Sequence, residues 1–261
     1  MPITLETEDG IATLTLSRPE KKNAMSIELL EALVETCAAL EAQQGLRAVI
    51  LTGAGGVFSA GIDLAVMGQM AADSKRLEAL LTTRDAHGAN AFQAPMLCWT
   101  RLKVPVIAAI EGVCFGAGMQ LALGADFRVV HPDTRLSIME AKWGLIPDMG
   151  LTATLPKLMR ADQAKALIMT GRQMTGREAE RAGLVTELSE APLARAQTLA
   201  AEIASRSPDA VAASKRLVEE AWTGGPEALA LEAELQAALI GTPNQMEAVA
   251  AAFQKRAPRF G

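Results

Sequence analysis

Two segments of small residues carry the strongest signal for chemistry in this sequence. Val49–Leu64 reads VILTGAGGVFSAGIDL, and 57 residues further on Val106–Leu121 reads VIAAIEGVCFGAGMQL. Each copy is an apolar run, a glycine turn and a Phe-x-Ala-Gly that opens a helix. Because a helix N-terminus presents unpaired backbone N–H groups, two such ends brought together would aim the N–H groups of Ala60 and Ala117 at one oxygen. The pattern therefore predicts an oxyanion hole.

The same small residues have other interpretations. An array of strand-turn-helix repeats needs small residues where neighbouring units touch, so Ala-Gly also has a packing explanation. Neither copy completes the GxGxxG of a dinucleotide loop, and no GxxxxGK[ST] occurs in the chain. Ser59 is not the serine of a GxSxG nucleophile turn, because Val57 occupies the position of the first glycine. Packing and oxyanion stabilisation are the two explanations left open.

The elements that must position these segments follow from periodicity. Asp9-Gly10 between two segments of alternating polarity predicts a hairpin. Ser26 fits a helix N-cap. Continuous apolar runs predict strands that are buried on both faces. The expected strands are Ile3–Glu8, Ile11–Leu16, Ala48–Thr52, Val106–Ile110, Phe127–Val130 and Arg135–Ile138, with a helix over about Ile27–Gln43. From Leu151 onward the pattern is purely helical. The change of pattern near Ser205 predicts a core with the active site over residues 1–204 and a helical region over 205–261.

Composition excludes several classes of protein. Half of the 261 residues are hydrophobic and the formal net charge is −5, which argues against a nucleic-acid-binding surface. The three cysteines are scattered in apolar context and are typical of reduced core residues in a cytosolic protein. The two histidines lie far apart, so no metal site is expected. The segment MPITLETEDG has neither the basic nor the apolar region of a signal peptide, and no apolar run reaches the length of a membrane span, so we expect no signal peptide and a cytoplasmic location.

Several short motifs occur in the order typical of one family. They are Arg18–Met25 (RPEKKNAM), Phe58–Leu64 (FSAGIDL), Gly112–Leu121 (GVCFGAGMQL), Glu140–Asp148 (EAKWGLIPD), Thr170-Gly171, Ala182–Val185 (AGLV) and Phe253–Arg256 (FQKR). Together they resemble the crotonase (enoyl-CoA hydratase/isomerase) superfamily along nearly the whole chain. The resemblance implies an α/β fold, a crotonase-like spiral of ββα repeats with a C-terminal helical trimerisation region. It also implies an acyl-CoA thioester as substrate, with no cofactor beyond the coenzyme A of that substrate.

The resemblance also implies roles for individual residues. By similarity, the backbone N–H groups of Ala60 and Ala117 are the two donors to the thioester carbonyl oxygen. The residues that match CoA-binding or substrate-binding positions are Lys22, Ala24, Ser59, Ala60, Gly61, Ile62, Asp63, Leu64, Gly116 and Lys255. Lys21, Lys22, Lys255 and Arg256 are candidates for the CoA phosphates, although each of them also fits a solvated surface cation. Asp63 fits a helix cap better than a catalyst.

The acids of the matched motifs are candidates for proton transfer. Family hydratases carry two glutamates, at the positions of Gln120 and Glu140, which hold the water and move the proton. Here the first of them is an amide, which orients groups but does not exchange protons at neutral pH. Burial of Glu140 among Met139 and Trp143 would raise its pKa. Asp148 matches an acid of the family's dienoyl-CoA isomerases, which also carry one at position 120. Each acid also has a non-catalytic interpretation. Glu140 could be a surface acid after a strand, and Asp148 could be the aspartate of a turn or a helix cap.

Two activities and one non-enzymatic role are open. A double-bond isomerase works with one acid, which fits Glu140 beside Gln120, whereas a hydratase would need Asp148 as a second acid. A crotonase-like scaffold that only binds acyl-CoA is the alternative from another class. An RNA-binding relative would need a basic helix, of which the charge shows no sign. By resemblance we expect a homotrimer or a hexamer.

Overall fold

The computed structural model describes residues 1–222 and 224–261. The β-strands in this part of the chain are β1 (Ile3–Glu8), β2 (Ile11–Leu16), β3 (Ala48–Gly53), β4 (Val106–Ile110), β5 (Val113–Phe115), β6 (Phe127–Val130), β7 (Arg135–Ser137), β8 (Met174–Thr175) and β9 (Glu187–Leu188). The α-helices are α1 (Ile27–Ala42), α2 (Leu64–Ala72), α3 (Ser74–Thr82), α4 (Ala94–Arg101), α5 (Ala117–Leu123), α6 (Leu151–Thr154), α7 (Ala161–Thr170), α8 (Gly176–Arg181), α9 (Pro192–Ala204), α10 (Pro208–Ala221), α11 (Pro226–Leu239) and α12 (Pro243–Gln254). Short 3₁₀ turns lie at Pro19–Lys21, Ala54–Gly56, Glu140–Trp143 and Leu155–Lys157.

The larger sheet has the strand order β1-β2-β3-β4-β6-β9 within the described residues. Strands β1 and β2 form the predicted hairpin, and Asp9 and Gly10 both have positive φ, 49° and 77°, as a tight hairpin turn requires. The other neighbouring pairs of this sheet are parallel. Val49 pairs with Val106, so the two repeated segments begin side by side in the sheet.

A smaller sheet joins β5, β7 and β8. Strands β8 and β9 lie in the part of the chain that the sequence predicted to be purely helical, and the prediction is wrong there. Two residues are too few to show the alternation that marks a strand in a sequence. Pairing with β7 and β6, which are distant in the chain, makes these residues strands.

Helix α1 covers the core side of the sheet. The Ser26 side chain accepts a hydrogen bond from the Leu29 N–H at 3.3 Å, which confirms the predicted N-cap. Leu29, Leu33, Cys37 and Leu40 are buried and join the main apolar core together with residues of β2, β3 and α4. Full burial of each leucine stabilises the fold by roughly 1.5–3 kcal/mol.

The helices after β9 differ in how they contact the sheet. Helix α9 lies on it through Ala196 and Ala200, which pack with Ile50 in a second apolar cluster. Helix α10 contacts α11 and α12, and is joined to the core by a Lys215 Nζ–Asp126 Oδ2 ion pair of 2.7 Å. The predicted boundary at residues 204 and 205 coincides with the end of α9 and stays a prediction.

The C-terminal helical region exposes large apolar side chains. Leu229, Met246 and Phe253 retain 66%, 57% and 85% of their accessible surface. Solitary exposed apolar residues are ordinary, but several on one region favour a covered surface in an assembly. Across the described residues, no helix combines the length and the apolar character needed to span a membrane.

Candidate active site

The two repeated segments lie against each other beyond the ends of β3 and β4. The Ser59 N–H donates to the Val113 carbonyl at 3.0 Å, and the Phe115 N–H donates to the Ser59 carbonyl at 3.0 Å. The Phe58 N–H bonds to the Glu111 carbonyl at the same distance. These backbone bonds bring the two Phe-x-Ala-Gly motifs together, as the sequence predicted.

The glycine of each motif packs against the other motif. A Cβ atom on Gly61 would lie 2.9 Å from the Phe115 carbonyl oxygen and 3.7 Å from the Ala117 nitrogen. A Cβ atom on Gly118 would lie 2.7 Å from the Ser59 Cβ. Both distances are too short for a larger residue without movement of the backbone. The packing explanation of the repeated Ala-Gly is therefore correct for the two glycines.

The backbone N–H groups of the two motifs are used differently from the prediction. The Ala60 N–H donates to the Lys22 carbonyl at 2.9 Å, so it is not free to bind a ligand oxygen. In contrast, the N–H groups of Ile62 and Ala117 find no acceptor within the described parts of the chain. The paired Ala60 N–H therefore does not fit the predicted donor role, Ile62, two residues further along, becomes the candidate in its place, and the role of Ala117 stays a prediction.

The reason is the local backbone of the first motif. The Met25 N–H donates to the Gly61 carbonyl at 2.8 Å, and the Asp63 N–H donates to the Met25 carbonyl at 2.9 Å. These two bonds form a short parallel bridge between Met25 and Ile62 that uses the Gly61 carbonyl and the Asp63 N–H but not the Ile62 N–H, and helix α2 begins only at Leu64. The second motif has no such bridge in the described structure, and α5 begins directly at Ala117.

The amide at position 120 is bonded directly to the candidate base. Gln120 Nε2 donates to Glu140 Oε1 at 2.8 Å, and Gln120 Oε1 accepts from the Met149 N–H at 2.8 Å. Because a backbone N–H only donates, it requires the amide oxygen at its side and turns the amide NH₂ toward Glu140. A Cβ atom on Gly116 would lie 3.5 Å from Glu140 Oε1, so the carboxylate lies against the turn that precedes Ala117.

The second oxygen of the carboxylate is in a different situation. Glu140 Oε2 is buried and has no hydrogen-bond partner among the described residues. Buried polar atoms are normally paired, so an unpaired carboxylate oxygen calls for an explanation, and a functional role is one. The group that can act on a ligand is therefore Glu140 Oε2.

The pKa of Glu140 is shifted in the predicted direction, and the pKa of Asp148, for which no shift was predicted, is raised too. Burial raises the pKa of Glu140, the hydrogen bond from Gln120 lowers it in part, and the nearby Asp148 carboxylate raises it further. Burial also raises the pKa of Asp148, although its side chain keeps substantial solvent access. Trp143 is not buried with Glu140 as expected, because it is 51% exposed. The cover comes from Gln120 and the turn at Gly116 instead.

Asp63 has the role of a cap. Its Oδ1 accepts from the Ala65 N–H at 3.1 Å, and its Oδ2 pairs with Arg18 Nη2 at 3.0 Å. The cap bond and the Arg18 pair both lower the pKa of this carboxyl.

The predicted CoA-binding residues outside the two repeated motifs lie in two places. Lys22 and Ala24 stand beside the loop of Asp63, with Lys22 exposed, whereas Lys255 lies at the exposed end of α12.

Two residues that the sequence analysis did not assign support the first motif. Asn23 is fully buried, and its Nδ2 donates to the carbonyl groups of Ala54 and Val57 at 2.9 and 2.6 Å. Arg18 bridges Asp63 and the Ala24 carbonyl. Both residues belong to the motif RPEKKNAM, so their identity was visible in the sequence but their contacts were not.

A large cavity lies away from these groups. It measures about 770 Å³ and opens between α10 and the core, with Leu123, Lys215 and Trp222 in its lining. None of the predicted site residues line it, and it adjoins the C-terminal end of α5 rather than Ala117. The unpaired N–H groups and carboxylate oxygen locate the candidate site better than the cavity volume does.

Comparison with known proteins agrees with this arrangement. A family model described as enoyl-CoA hydratase/isomerase matches residues 6–261. Probable enoyl-CoA hydratase echA8 of Mycobacterium tuberculosis is 31% identical over 264 residues, which cover 99% of this chain and 97% of that protein. Enoyl-CoA hydratase domain-containing protein 2, mitochondrial, of Bos taurus is 34% identical over 267 residues, which cover 96% and 84%.

The solved structures agree as well. An enoyl-CoA hydratase from Bacillus anthracis has a TM-score of 0.90 and 30% identity, covering 100% of this chain and 99% of that chain. An enoyl-CoA hydratase from Polaromonas sp. JS666 has a TM-score of 0.89 and 29% identity, covering 99% of each chain. The mixed α/β architecture is therefore the crotonase fold, and the chain belongs to the enoyl-CoA hydratase/isomerase family.

Proposed function

We propose that this protein is an enoyl-CoA isomerase. It converts a 3-enoyl-CoA, with its double bond between carbons 3 and 4, into a 2-enoyl-CoA, with its double bond between carbons 2 and 3. One observation carries the proposal. Glu140 binds Gln120 through Oε1 and keeps Oε2 buried and unpaired among the described residues. Isomerisation needs a single group that removes a proton and returns it, and a single free carboxylate oxygen meets that need.

The reaction begins at the thioester carbonyl. Its oxygen accepts the N–H groups of Ile62 and Ala117, which stabilise the negative charge that develops there. Glu140 Oε2 removes a proton from carbon 2, and the electron pair of that C–H bond passes into the enolate. The protonated Glu140 then gives the proton to carbon 4, and the double bond lies between carbons 2 and 3. No atom is gained or lost.

The raised pKa of Glu140 suits both steps. Burial favours the neutral carboxyl, so the protonated intermediate costs less than it would at an exposed acid. The Gln120 N–H favours the ionised form that must be present at the start. Gln120 is thus a positioning residue that selects Oε2 as the base.

Hydration is the second candidate, favoured by the nearness of Asp148. That carboxylate is close enough to raise the pKa of Glu140, and its own pKa is raised as well. The direct 2.8 Å bond between Gln120 Nε2 and Glu140 Oε1 leaves no room for a water between these two atoms. In a hydratase reaction the water would therefore bind Glu140 Oε2, with Asp148 as the second acid.

The test is turnover of a 3-enoyl-CoA and a 2-enoyl-CoA side by side, with the products identified. We expect the 2-enoyl product from the first substrate and slow hydration of the second. Glu140→Gln should lower isomerisation by about 10²–10⁴-fold, since it removes the proton carrier. Glu232→Gln, at an exposed position in α11, is the matched control and should keep full activity.

The opposite outcomes are equally specific. Rapid hydration by the wild type that Asp148→Asn abolishes would establish the hydratase reaction. Binding of several acyl-CoA thioesters without turnover of any would establish the scaffold role instead.

We also propose a homotrimer or a hexamer built by the C-terminal helical region. The exposed Leu229, Met246 and Phe253 support a covered surface there. Lys22 and Lys255 are proposed to meet the CoA phosphates. A monomeric mass by light scattering at micromolar concentration would refute the assembly. The cytoplasmic location stays a prediction.

A further inference from the structure

Arg18 joins two segments of the proposed active site that are distant in the chain. It stands between β2 and the 3₁₀ turn Pro19–Lys21. Its Nη1 donates to the Ala24 carbonyl, and its Nη2 pairs with Asp63 Oδ2 at 3.0 Å. The two side chains of this pair are 20% and 15% exposed, so the contact is largely shielded from water. One guanidinium therefore holds the segment of residues 22–24 and the segment of residues 60–64 together.

The first of these segments needs support. Lys22 and Asn23 both have left-handed backbone conformations, with φ of 51° and 52°, which non-glycine residues adopt at a cost. The Arg18 N–H donates to Asn23 Oδ1 at 2.9 Å, and the Arg18 side chain holds the next carbonyl, that of Ala24. Both ends of the strained turn are thus bonded to Arg18.

The second segment carries a proposed oxyanion donor. Asp63 directly follows Ile62, and its two carboxylate oxygens are divided between the Ala65 N–H and Arg18. The Ala60 N–H, on the other side of Ile62, bonds to the Lys22 carbonyl at 2.9 Å. The position of the Ile62 N–H therefore depends on the segment of residues 22–24 from both directions.

We propose that Arg18 is a positioning residue that couples the segment expected to bind the CoA nucleotide to the Ile62 N–H of the oxyanion hole. This rests on the proposed function for the identity of the substrate. A planar guanidinium presents donors in two directions and serves both acceptors at once, which a lysine ammonium on a flexible stem does not reproduce. Binding energy gained at the nucleotide is then used to orient the thioester, so its loss appears in kcat more than in KM.

The first test is hydrogen exchange in the absence of any reaction. The probe is adenosine 3′,5′-bisphosphate, which carries nucleotide chemistry of coenzyme A without its thiol arm. In the wild type the probe should slow exchange in residues 22–25 and also in residues 60–66. In Arg18→Met the protection of residues 60–66 should fall well below that of residues 22–25, leaving only what direct contact with the probe supplies. No protection of residues 60–66 in the wild type, or equal protection in Arg18→Met, would overturn the proposal.

The second test is kinetic. With a 3-enoyl-CoA, Arg18→Met should lower kcat about tenfold or more, and the advantage of the CoA thioester over its truncated N-acetylcysteamine analogue should shrink. Arg18→Lys keeps the charge and should lose most of the same advantage. Arg160→Met, which breaks an ion pair with Asp162 that is 77% and 65% exposed, is the control and should not change kcat.

The two tests separate the proposals. A wild type without turnover, but with coupled protection that Arg18→Met removes, would refute the isomerase and leave the coupling in place. An active wild type whose kcat is unchanged in a folded Arg18→Met or Arg18→Lys variant would refute the coupling alone.

Discussion

The two repeated segments are alike in sequence and unlike in the way they serve the site. In the second segment helix α5 begins at Ala117, and the N–H of that residue is unpaired in the described structure. In the first, the equivalent Ala60 is bonded to Lys22, and helix α2 begins only after Ile62 and Asp63. The matching residues of the two segments therefore pack in a similar way, but their backbone N–H groups do not have the same hydrogen-bonding state.

The polar residues that follow the repeated Ala-Gly show the same contrast. Asp63 and Gln120 occupy equivalent positions, 57 residues apart. Asp63 pairs with Arg18 and caps α2, so its oxygens support the backbone. Gln120 instead spans from the Met149 N–H to the carboxylate of Glu140. Position 63 thus supports the backbone of the first segment, whereas position 120 contacts the proposed proton carrier.

The sharpest test of the comparison is loss of single N–H donors. Ala117→Pro and Ile62→Pro each remove one proposed oxyanion donor, and each should lower kcat by about 10²–10³-fold. Ala161→Pro, at the exposed first residue of α7, makes the same substitution where proline is tolerated and should keep its activity. Folding is checked by circular dichroism. Full activity in a folded Ala117→Pro protein would refute the oxyanion hole.

The glycines test whether the two segments are held together by close packing. Gly118→Ala places a Cβ 2.7 Å from the Ser59 Cβ, and the overpacking should lower the free energy of unfolding by about 1–3 kcal/mol. Gly68→Ala in α2 is the control, because nothing lies within 4 Å of its Cβ position. Helix propensity predicts that the control gains up to about 1 kcal/mol. Urea unfolding of both variants measures the difference, and equal stabilities would contradict it.

The pH dependence tests the contrast between positions 63 and 120. The base must be ionised, so the rate should fall as the pH drops through the pKa of Glu140, which burial raises above its ordinary value of 4.5. Gln120→Met removes a hydrogen bond to the carboxylate, so the acid limb of the kcat profile should move to higher pH. Asp63→Asn should leave that limb where it is, because Asp63 has no bond to Glu140 in the described structure. Equal shifts in both variants would contradict the assignment.

The smallest expected effect is on stability. The folded pKa of Glu140 lies above its unfolded value, so its contribution to stability is fully present below the unfolded pKa and is lost as the pH rises through the folded pKa. At neutral pH the ionised carboxylate therefore destabilises the fold. Glu140→Gln, which should lose most of its activity, should be more stable than the wild type at pH 7, with a smaller difference near pH 5. Denaturant unfolding at both pH values measures this, and a variant less stable at pH 7 would contradict it.

Much of the fold could be predicted because its signals are local. The hairpin at Asp9-Gly10, helix α1 with its Ser26 cap and the buried strands β3 and β4 follow from turn residues and periodicity within a few positions. The short strands β8 and β9 could not be predicted, because only their pairing with distant strands defines them.

For the candidate site, the sequence by itself indicated the family, the meeting of two Phe-x-Ala-Gly motifs and Glu140 as the candidate acid. Only the tertiary structure decided that the Ile62 N–H is unpaired within the described residues and that the Ala60 N–H is not. It also decided that Gln120 bonds Glu140 directly and that Trp143 is not buried with it. The physical reason is that an N–H group or a carboxylate oxygen is unpaired only when no residue elsewhere in the folded chain bonds to it. Those bonds join Met25 to Gly61 and Met149 to Gln120 across the chain, and no local pattern contains them.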